Sequence, residues 1–273
     1  AFFGLGAGAI LPVIPGLAGD LGATLAVAGF VAAMIMIGEL IGMLPGGWLV
    51  TRFSERTVMI GAAALSAVGA AVAMVASAPW MLAAGLGIIG VSAAVFSLSR
   101  HSFMTIAVPM SHRARALSTL GGTMRIGMFV GPFLTAAILA LEIPAQASLV
   151  IPIVAAVVII VVLLASPDIE APLRAVRAAH PEPAKGLAAT AVANARVFGT
   201  IGIGAAILAG LRAARMLVLP LWAAWAGIDP ALAALIIGIG AMVDAALFYA
   251  GGWVMDRFGR RRTAVPAMVG LAH

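Results

Sequence analysis

The chain has 273 residues, of which 63% are hydrophobic and only 10% are charged, and it contains no cysteine. A soluble domain carries about 25% charged residues, so a water-soluble fold is excluded because its interior could not bury this much apolar surface. The net charge of +6 would suit nucleic acid in a soluble protein, but basic residues have another use in a membrane protein. Without cysteine, the chain can form no disulfide, thiol nucleophile or cysteine-bound zinc site.

The first apolar segment, residues 1–14, is shorter than the roughly 20 residues that a membrane-spanning helix needs. No basic region precedes it and no cleavage site follows it, so it does not have the pattern of a signal peptide. We expect it to be the end of a helix whose start is missing. Residues 263–273 have the composition of a helix that is cut short, so we expect a chain truncated at both ends.

Seven apolar segments between these ends are long enough to cross a bilayer. They must be helices or barrel strands, because hydrocarbon offers the backbone no other hydrogen-bond partner, and their length favours helices. The predicted spans are 23–50, 57–76, 80–108, 116–141, 146–165, 196–222 and 230–255. The predicted fold class is therefore an all-α polytopic membrane protein with about nine helices, the first and last incomplete.

The basic residues of the connections indicate an orientation. They lie in every second connection, as Arg52, Arg56, His112, Arg113, Arg115, Arg174, Arg177, Lys185, Arg257, Arg260, Arg261 and Arg262. The intervening connections, 15–22, 78–79, 142–145 and 223–229, contain neither Lys nor Arg. By the positive-inside rule the basic set is cytoplasmic. The protein is thus predicted to be a multi-pass cell-membrane protein with its N-terminal side in the cytoplasm.

One connection, 166–195, is long and contains four prolines with charges of both signs. We interpret it as a cytoplasmic linker with a short surface helix near 171–179. It would separate an N-terminal half, 1–165, from a partial C-terminal half, 196–273. All five tryptophans lie at span ends, where an aromatic belt is expected.

An internal repeat relates two of the basic turns. The stretch from Gly46 to Arg56 reads GGWLVTRFSER, and the stretch from Gly251 to Arg261, 205 residues later, reads GGWVMDRFGRR. Because the match continues through a charged turn, chance similarity between apolar helices does not explain it. It predicts two halves of parallel topology, related by an axis along the membrane normal.

The second copy of this turn resembles the signature between helices 2 and 3 of the major facilitator superfamily. The residues that carry the resemblance are Gly252, Asp256, Arg257, Gly259, Arg260 and Arg261. In the first copy Gly47, Arg52 and Arg56 match, whereas Thr51 replaces the aspartate and Glu55 an arginine. The resemblance implies a bundle of two six-helix halves, of which about helices 1–9 are present. It also implies that the turn latches one conformation and releases it in another. The alternative is that its arginines only enforce topology and bind lipid headgroups.

A second resemblance lies on the fifth predicted helix. Gly127, Gly131 and Pro132 are similar to the Gly-Pro motif common in exporters of the superfamily, although Phe133 and the residues after it replace the usual following glycines. Arg100, on the fourth helix, lies where the family often has an arginine. Together these resemblances imply a secondary transporter that works by alternating access.

Ionisable residues inside the spans are candidates for function, because each costs at least about 2.5–3.5 kcal/mol to insert. The candidates are Glu39, Arg100, Arg125, Arg212, Arg215 and Asp244, with His101 as a further possibility. Moving 205 residues on from Glu39 leads to Asp244, so the two carboxylates occupy equivalent positions in the repeat. A carboxylate reached from each side in turn can load and release a proton, as coupled transport requires.

Arg125 is the expected partner of Asp244, because helices 5 and 8 face each other in the superfamily. Arg212 is the alternative partner. Arg215 and Arg100 lie nearer to span ends, where their side chains can reach the interface. A static ion pair that only fixes helix packing is the competing interpretation.

Most glycines are expected to serve helix packing. Gly85, Gly87 and Gly90 match a dinucleotide-binding fingerprint by letter, but no strand precedes them, so we reject that interpretation. Gly38 and Gly42 are predicted, with Gly46, to allow close approach of another helix.

The predicted function is proton-coupled efflux of a small hydrophobic or drug-like compound by a monomer in the lipid bilayer. Its partners would be that small molecule and protons, with no nucleic acid, metal or cofactor. An importer of a small metabolite in the same superfamily is the alternative. Two other classes stay open: a membrane-embedded lipid-modifying enzyme, although no two carboxylates lie within one turn of a span, and a remnant that does not transport.

Overall fold

The protein is described by a computed structural model at residues 1–108, 112–166 and 193–258. These residues form helices long and apolar enough to cross a membrane eight times, which confirms the all-α polytopic fold. The helices are α1 (Phe2–Asp20), α2 (Leu25–Arg52), α3 (Glu55–Met74), α4 (Pro79–Ala107), α5 (Arg113–Ala140), α6 (Val150–Ala165), α7 (Ile203–Trp225) and α8 (Pro230–Phe258). The predicted start of a ninth helix, 263–273, lies outside the described residues.

Helix α1 is longer than predicted. It continues from Phe2–Ile10 through a 3-10 turn, Leu11–Val13, into Ile14–Asp20. Pro12 and Pro15 lie in the first positions of their helical segments, where a missing backbone N–H breaks no hydrogen bond of the segment. The prediction that this segment is too short to span was therefore wrong, because these prolines change the hydrogen-bond pattern without ending the helix.

The starts of α2 and α8 are fixed by capping side chains. The Thr24 hydroxyl accepts a hydrogen bond from the backbone N–H of Val27 at 3.4 Å. One carboxylate oxygen of Asp229 accepts two, from the N–H groups of Ala231 and Leu232, each at 3.0 Å. Both caps satisfy backbone donors that a helix start leaves without an internal partner.

The repeat extends over two whole helices of each copy. The offset of 205 residues relates the helix ends of α1 and α7 and the starts of α2 and α8. It also pairs Pro15 with Pro220, Gly22 with Gly227, and Thr24 with Asp229. Gly22 and Gly227 both have a positive φ, of 80° and 67°, a conformation that glycine adopts without strain. The hairpins α1–α2 and α7–α8 thus share one register.

Backbone contacts at glycines join α2 to α4. A Cβ added to Gly38 would collide with the carbonyl of Gly87, and one added to Gly42 would collide with that of Val91. From the other side, a Cβ on Gly90 would overlap the α2 backbone. The predicted packing role of the α2 glycines is confirmed, and these α4 glycines lie in a helix rather than after a strand.

Helix α1 packs on α5 in the same way. A Cβ on Gly127 or Gly131 would collide with the α1 backbone. One turn further along α5, the buried hydroxyl of Thr135 donates a hydrogen bond to the carbonyl of Ala9 at 2.6 Å. We call the α1–α5 and α2–α4 contacts the two glycine seams. They fix the positions of α5 and α2, which carry Arg125 and Glu39.

The tryptophans whose side chains are described, Trp48, Trp80, Trp222 and Trp225, are all exposed near helix ends. This agrees with the predicted aromatic belt. Large apolar side chains also cover much of the outer surface of the helices, as contact with lipid requires.

Several predictions lie outside the described residues. They concern the linker with its surface helix near 171–179, most of which falls in 167–192, and the turn residues Gly259, Arg260 and Arg261. Gly252, Asp256 and Arg257 belong to α8, but their side chains are also outside the described set.

Candidate functional site

An ion pair joins α5 to α8 at the middle of both helices. Asp244 lies at the midpoint of α8, and Arg125 lies near the midpoint of α5. The Arg125 guanidinium donates a hydrogen bond to the Asp244 carboxylate, with 2.5 Å between Nη1 and Oδ2. The structure thus contains the pair expected from the sequence, and it connects the first six helices to the last two.

The environment of this pair leaves both side chains accessible. Arg125 is 31% and Asp244 50% exposed, so the pair is not sealed in the protein interior. Gly238, on α8, lies against the ring of Phe133 on α5, which brings the two helices close beside the pair. A charge-assisted hydrogen bond compensates two charges that would each be costly at this depth.

The other mid-helix carboxylate, Glu39, lines a cavity of about 120 Å³. Glu39 lies at the midpoint of α2, and among the described residues that line the cavity it alone is charged. Ser66 supplies the other polar side chain of the lining, and the remaining wall is apolar, with Phe3, Met36 and Met128 among its members. Within the described ranges, the Glu39 carboxylate has neither a hydrogen bond nor an ion pair.

The remaining intramembrane cations are not brought to Asp244. Arg212 and Arg215 are exposed on α7, and neither forms an ion pair in the part of the chain that is described. Arg100 directs Nη1 toward the sulfur of Met124 at 3.9 Å. Its Nε is buried without a hydrogen-bond partner among the described residues. Of the two partners considered for Asp244, the structure selects Arg125.

The first copy of the signature turn makes local contacts. The Thr51 hydroxyl, which stands in place of the family's aspartate, donates to the carbonyl of Trp48 at 2.7 Å. Arg52 lies over the Trp48 ring, 5.8 Å from its centroid. Arg56 reaches further and donates to the carbonyl of Leu164, at the end of α6, at 2.9 Å. In this copy, Arg56 is the matching arginine that ties two helices together.

Sequence reasoning missed Glu55 as a structural group. Its side chain is only 4% exposed, and its carboxylate accepts a hydrogen bond from the Ser102 hydroxyl at 3.0 Å. Glu55 looked like a departure from the motif, and Ser102 is remote in sequence. No sequence pattern joins them, so only the packing of α3 on α4 reveals the contact.

The helix-5 motif faces α1. Gly127 and Gly131 form the α1–α5 glycine seam, and Pro132 is fully buried beside it. Because Pro132 has no N–H, the carbonyl of Met128 lacks its usual helical hydrogen bond. Met128 also lines the Glu39 cavity, so the motif shapes one wall of that cavity.

Comparison with known proteins bears on this arrangement. A model of the Major Facilitator Superfamily matches residues 1–272. Over 99 residues the chain is 28% identical to "Inositol transporter 4" of Arabidopsis thaliana, and this match covers 36% of the chain and 17% of the relative's length.

Two solved structures share the fold. A D-xylose-proton symporter superimposes with a TM-score of 0.63 at 18% identity, covering 94% of this chain and 67% of the symporter chain. A POT family peptide transporter superimposes with a TM-score of 0.50 at 19% identity, covering 81% of this chain and 49% of that one. With the family matched from end to end and its helical arrangement shared, this chain belongs to the major facilitator superfamily.

Proposed function

We propose that this transporter moves its cargo by alternating access, with protons as the coupling ion and Asp244 as the coupling carboxylate. The observation that carries the proposal is the Arg125–Asp244 ion pair, which joins α5 to α8 at mid-depth. A carboxylate there needs a compensating charge in every state of the transport cycle. Arg125 supplies that charge in the arrangement described, and a proton supplies it once the two helices separate.

This exchange of partners couples the movement of protons to the movement of the cargo. If α5 and α8 part while Asp244 is ionised, the ion pair between Asp244 and Arg125 is broken, which raises the energy of that step. Protonation of Asp244 removes one of the two charges and lowers the barrier. The helices therefore separate readily only with a proton bound. Glu39, at the equivalent position of the repeat, is a second group able to carry a proton.

For the cargo, uptake of a small hydroxylated metabolite is the leading candidate, in place of the drug efflux favoured by the sequence. The matched relative is named as an inositol transporter. The solved structure with the same fold is titled a proton symporter of D-xylose. Both names describe movement of polyhydroxylated solutes, and the second describes coupling to protons.

Efflux of an apolar compound is the second candidate, and one observation favours it. The wall of the Glu39 cavity is apolar except for Glu39 and Ser66. A polyol needs many hydrogen-bonding groups to replace its water, whereas an apolar compound does not.

Proteoliposomes holding the protein test both candidates. Under an inward proton gradient, we expect accumulation of radiolabelled inositol or xylose by the unaltered protein. Asp244→Asn should abolish accumulation but retain exchange of labelled for unlabelled solute, because exchange needs no net proton movement. Accumulation by Asp244→Asn equal to that of the unaltered protein would remove Asp244 from coupling.

A matched control is Glu142→Gln, which removes a carboxylate from an exposed turn and should leave accumulation unchanged. The same vesicles, loaded with a lipophilic dye, test export. Gradient-driven movement of the dye, without movement of inositol or xylose, would replace the uptake proposal with the second candidate.

A further inference from the structure

The cavity beside Glu39 combines three features that suit one class of ligand. It has a single carboxylate, Glu39, and a wall of apolar and sulfur-containing side chains. It also has aromatic rings, from Phe2 and Phe3. Phe3 is held in place by stacking on Phe96, with the ring centroids 4.7 Å apart, so the aromatic part of the wall is preformed.

The negative charge of Glu39 determines which charge a ligand of the cavity should carry. No cation of the described residues compensates the carboxylate, and no basic side chain lines the cavity. Glu39 is itself exposed, so a ligand that brings one positive charge can reach the carboxylate and form the missing ion pair. A neutral ligand of the same shape would leave the carboxylate uncompensated. An anion would be repelled.

The wall favours an organic cation over a metal ion. A metal ion of the Mg²⁺ or Ca²⁺ type needs several oxygen ligands, and the lining supplies oxygen-bearing side chains only from Glu39 and Ser66. Alkyl groups on a nitrogen suit methionine and aliphatic walls, and a cation is also attracted to the faces of aromatic rings.

The volume limits the size of the ligand. The cavity holds about 120 Å³, somewhat less than the roughly 150 Å³ of an engineered cavity known to bind benzene. A body of about six or seven non-hydrogen atoms fits this space.

We propose that this cavity is a binding site for a compact organic monocation, such as a small quaternary or protonated amine, with Glu39 as its counter-ion. The wall comes from all of the first six helices, with α3 contributing Ser66, and from α7 at Met216. Occupation therefore ties α7 to the N-terminal helices. The site is separate from the Arg125–Asp244 pair, and binding at it requires no proton gradient.

The test uses the purified protein in detergent, with choline and its uncharged isostere 3,3-dimethyl-1-butanol as probes. The two have nearly the same shape and differ by the charge on one atom. Calorimetry should give choline at least about tenfold tighter binding than the alcohol, because only choline forms the ion pair. Equal binding, or no binding of choline, would overturn the proposal.

Three variants separate the carboxylate from general effects on folding. Glu39→Gln should lower choline affinity at least about tenfold while leaving the alcohol unaffected, since only the charge is removed. Glu39→Asp should keep the preference for choline, with weaker binding, because the charge is retained but withdrawn by one methylene. Glu142→Gln should change neither probe. Unchanged choline binding by Glu39→Gln would assign the site to other residues and refute the proposal. Since no gradient is applied, failure here leaves proton coupling at Asp244 to be judged separately.

Discussion

Glu39 and Asp244 occupy the same place in two hairpins of shared register, yet their neighbours differ. Asp244 faces α5, which supplies Arg125 at 2.5 Å. Glu39 lies on a helix that meets α4 through glycines, with Gly90 against the backbone N–H of Glu39, and Glu39 lines an apolar cavity. The repeat thus places a carboxylate at mid-depth twice. The helix packed against each copy decides whether that carboxylate is paired.

Charge exchange at the α5–α8 pair should give the largest effect. Arg125→Asp and Asp244→Arg each place two like charges at mid-depth and should lower stability. Loss of one partner from a fully buried pair costs about 3–5 kcal/mol, and we expect roughly 3 kcal/mol here because both side chains are partly exposed. The double variant restores opposite charges and should recover most of this loss. Unfolding by SDS, followed by circular dichroism, measures all three. A double variant no more stable than its parents would show that the pair contributes nothing to holding α5 and α8.

The glycines beside the two carboxylates should respond differently to an added methyl group. Gly90→Ala drives a Cβ into the α2 backbone at Glu39, whereas Gly240, one turn before Asp244, has nothing within 4 Å. We expect Gly90→Ala to cost about 2 kcal/mol through overpacking. Gly240→Ala should be neutral or stabilise by up to about 1 kcal/mol, because alanine favours helix. Melting temperatures in one detergent compare the two, and equal shifts would mean that α2 and α4 are not in backbone contact.

Neutralising each carboxylate should change stability in opposite directions. Glu39→Gln removes a charge without a described partner and should stabilise by on the order of 1 kcal/mol. Asp244→Asn removes the carboxylate that pairs with Arg125 and should destabilise by a similar amount. The same unfolding by SDS measures whether each substitution raises or lowers the stability. A loss of stability in Glu39→Gln would indicate that the carboxylate has a partner after all.

The helix caps should give the smallest difference. Asp229 accepts two backbone hydrogen bonds at 3.0 Å, and Thr24 accepts one at 3.4 Å. Asp229→Ala should therefore cost about 1 kcal/mol and Thr24→Ala about half as much. Amide hydrogen exchange over the first turns of α8 and α2 measures each loss locally. Faster exchange in α2 than in α8 after these substitutions would reverse the order that the hydrogen bonds predict.

Much of the fold follows from the sequence because hydrocarbon leaves few choices. Long apolar segments must satisfy their backbone internally, so the spans after residue 20 were predicted to within four residues, except that α7 starts at Ile203 where 196 was expected. α1 was the other exception, since residues 15–22 were assigned to a connection although the helix continues through Ile14–Asp20 after a 3-10 turn.

At the site, the sequence could predict positions more readily than partners. The repeat identified Glu39 and Asp244 as equivalent, and the family's architecture suggested Arg125. The repeat-related caps escaped notice because Thr24 and Asp229 share a role but not an identity. The Glu55–Ser102 contact and the cavity depend on how α3, α4 and the other helices are placed, and no local pattern encodes that placement.

The two glycine seams also limit how this protein can vary. Every amino acid substitution for glycine adds atoms, so a random mutation at Gly90 or Gly131 can push the helices apart but cannot draw them closer. The opposing surface cannot shrink in compensation, because much of it is backbone, as at the carbonyl groups of Ile35 and Leu5. The distance between these helices is therefore expected to stay the same as the rest of the sequence changes. Adaptation to a new ligand of the cavity is expected to proceed through its side chains, such as Met36 and Met128, which can change size in either direction.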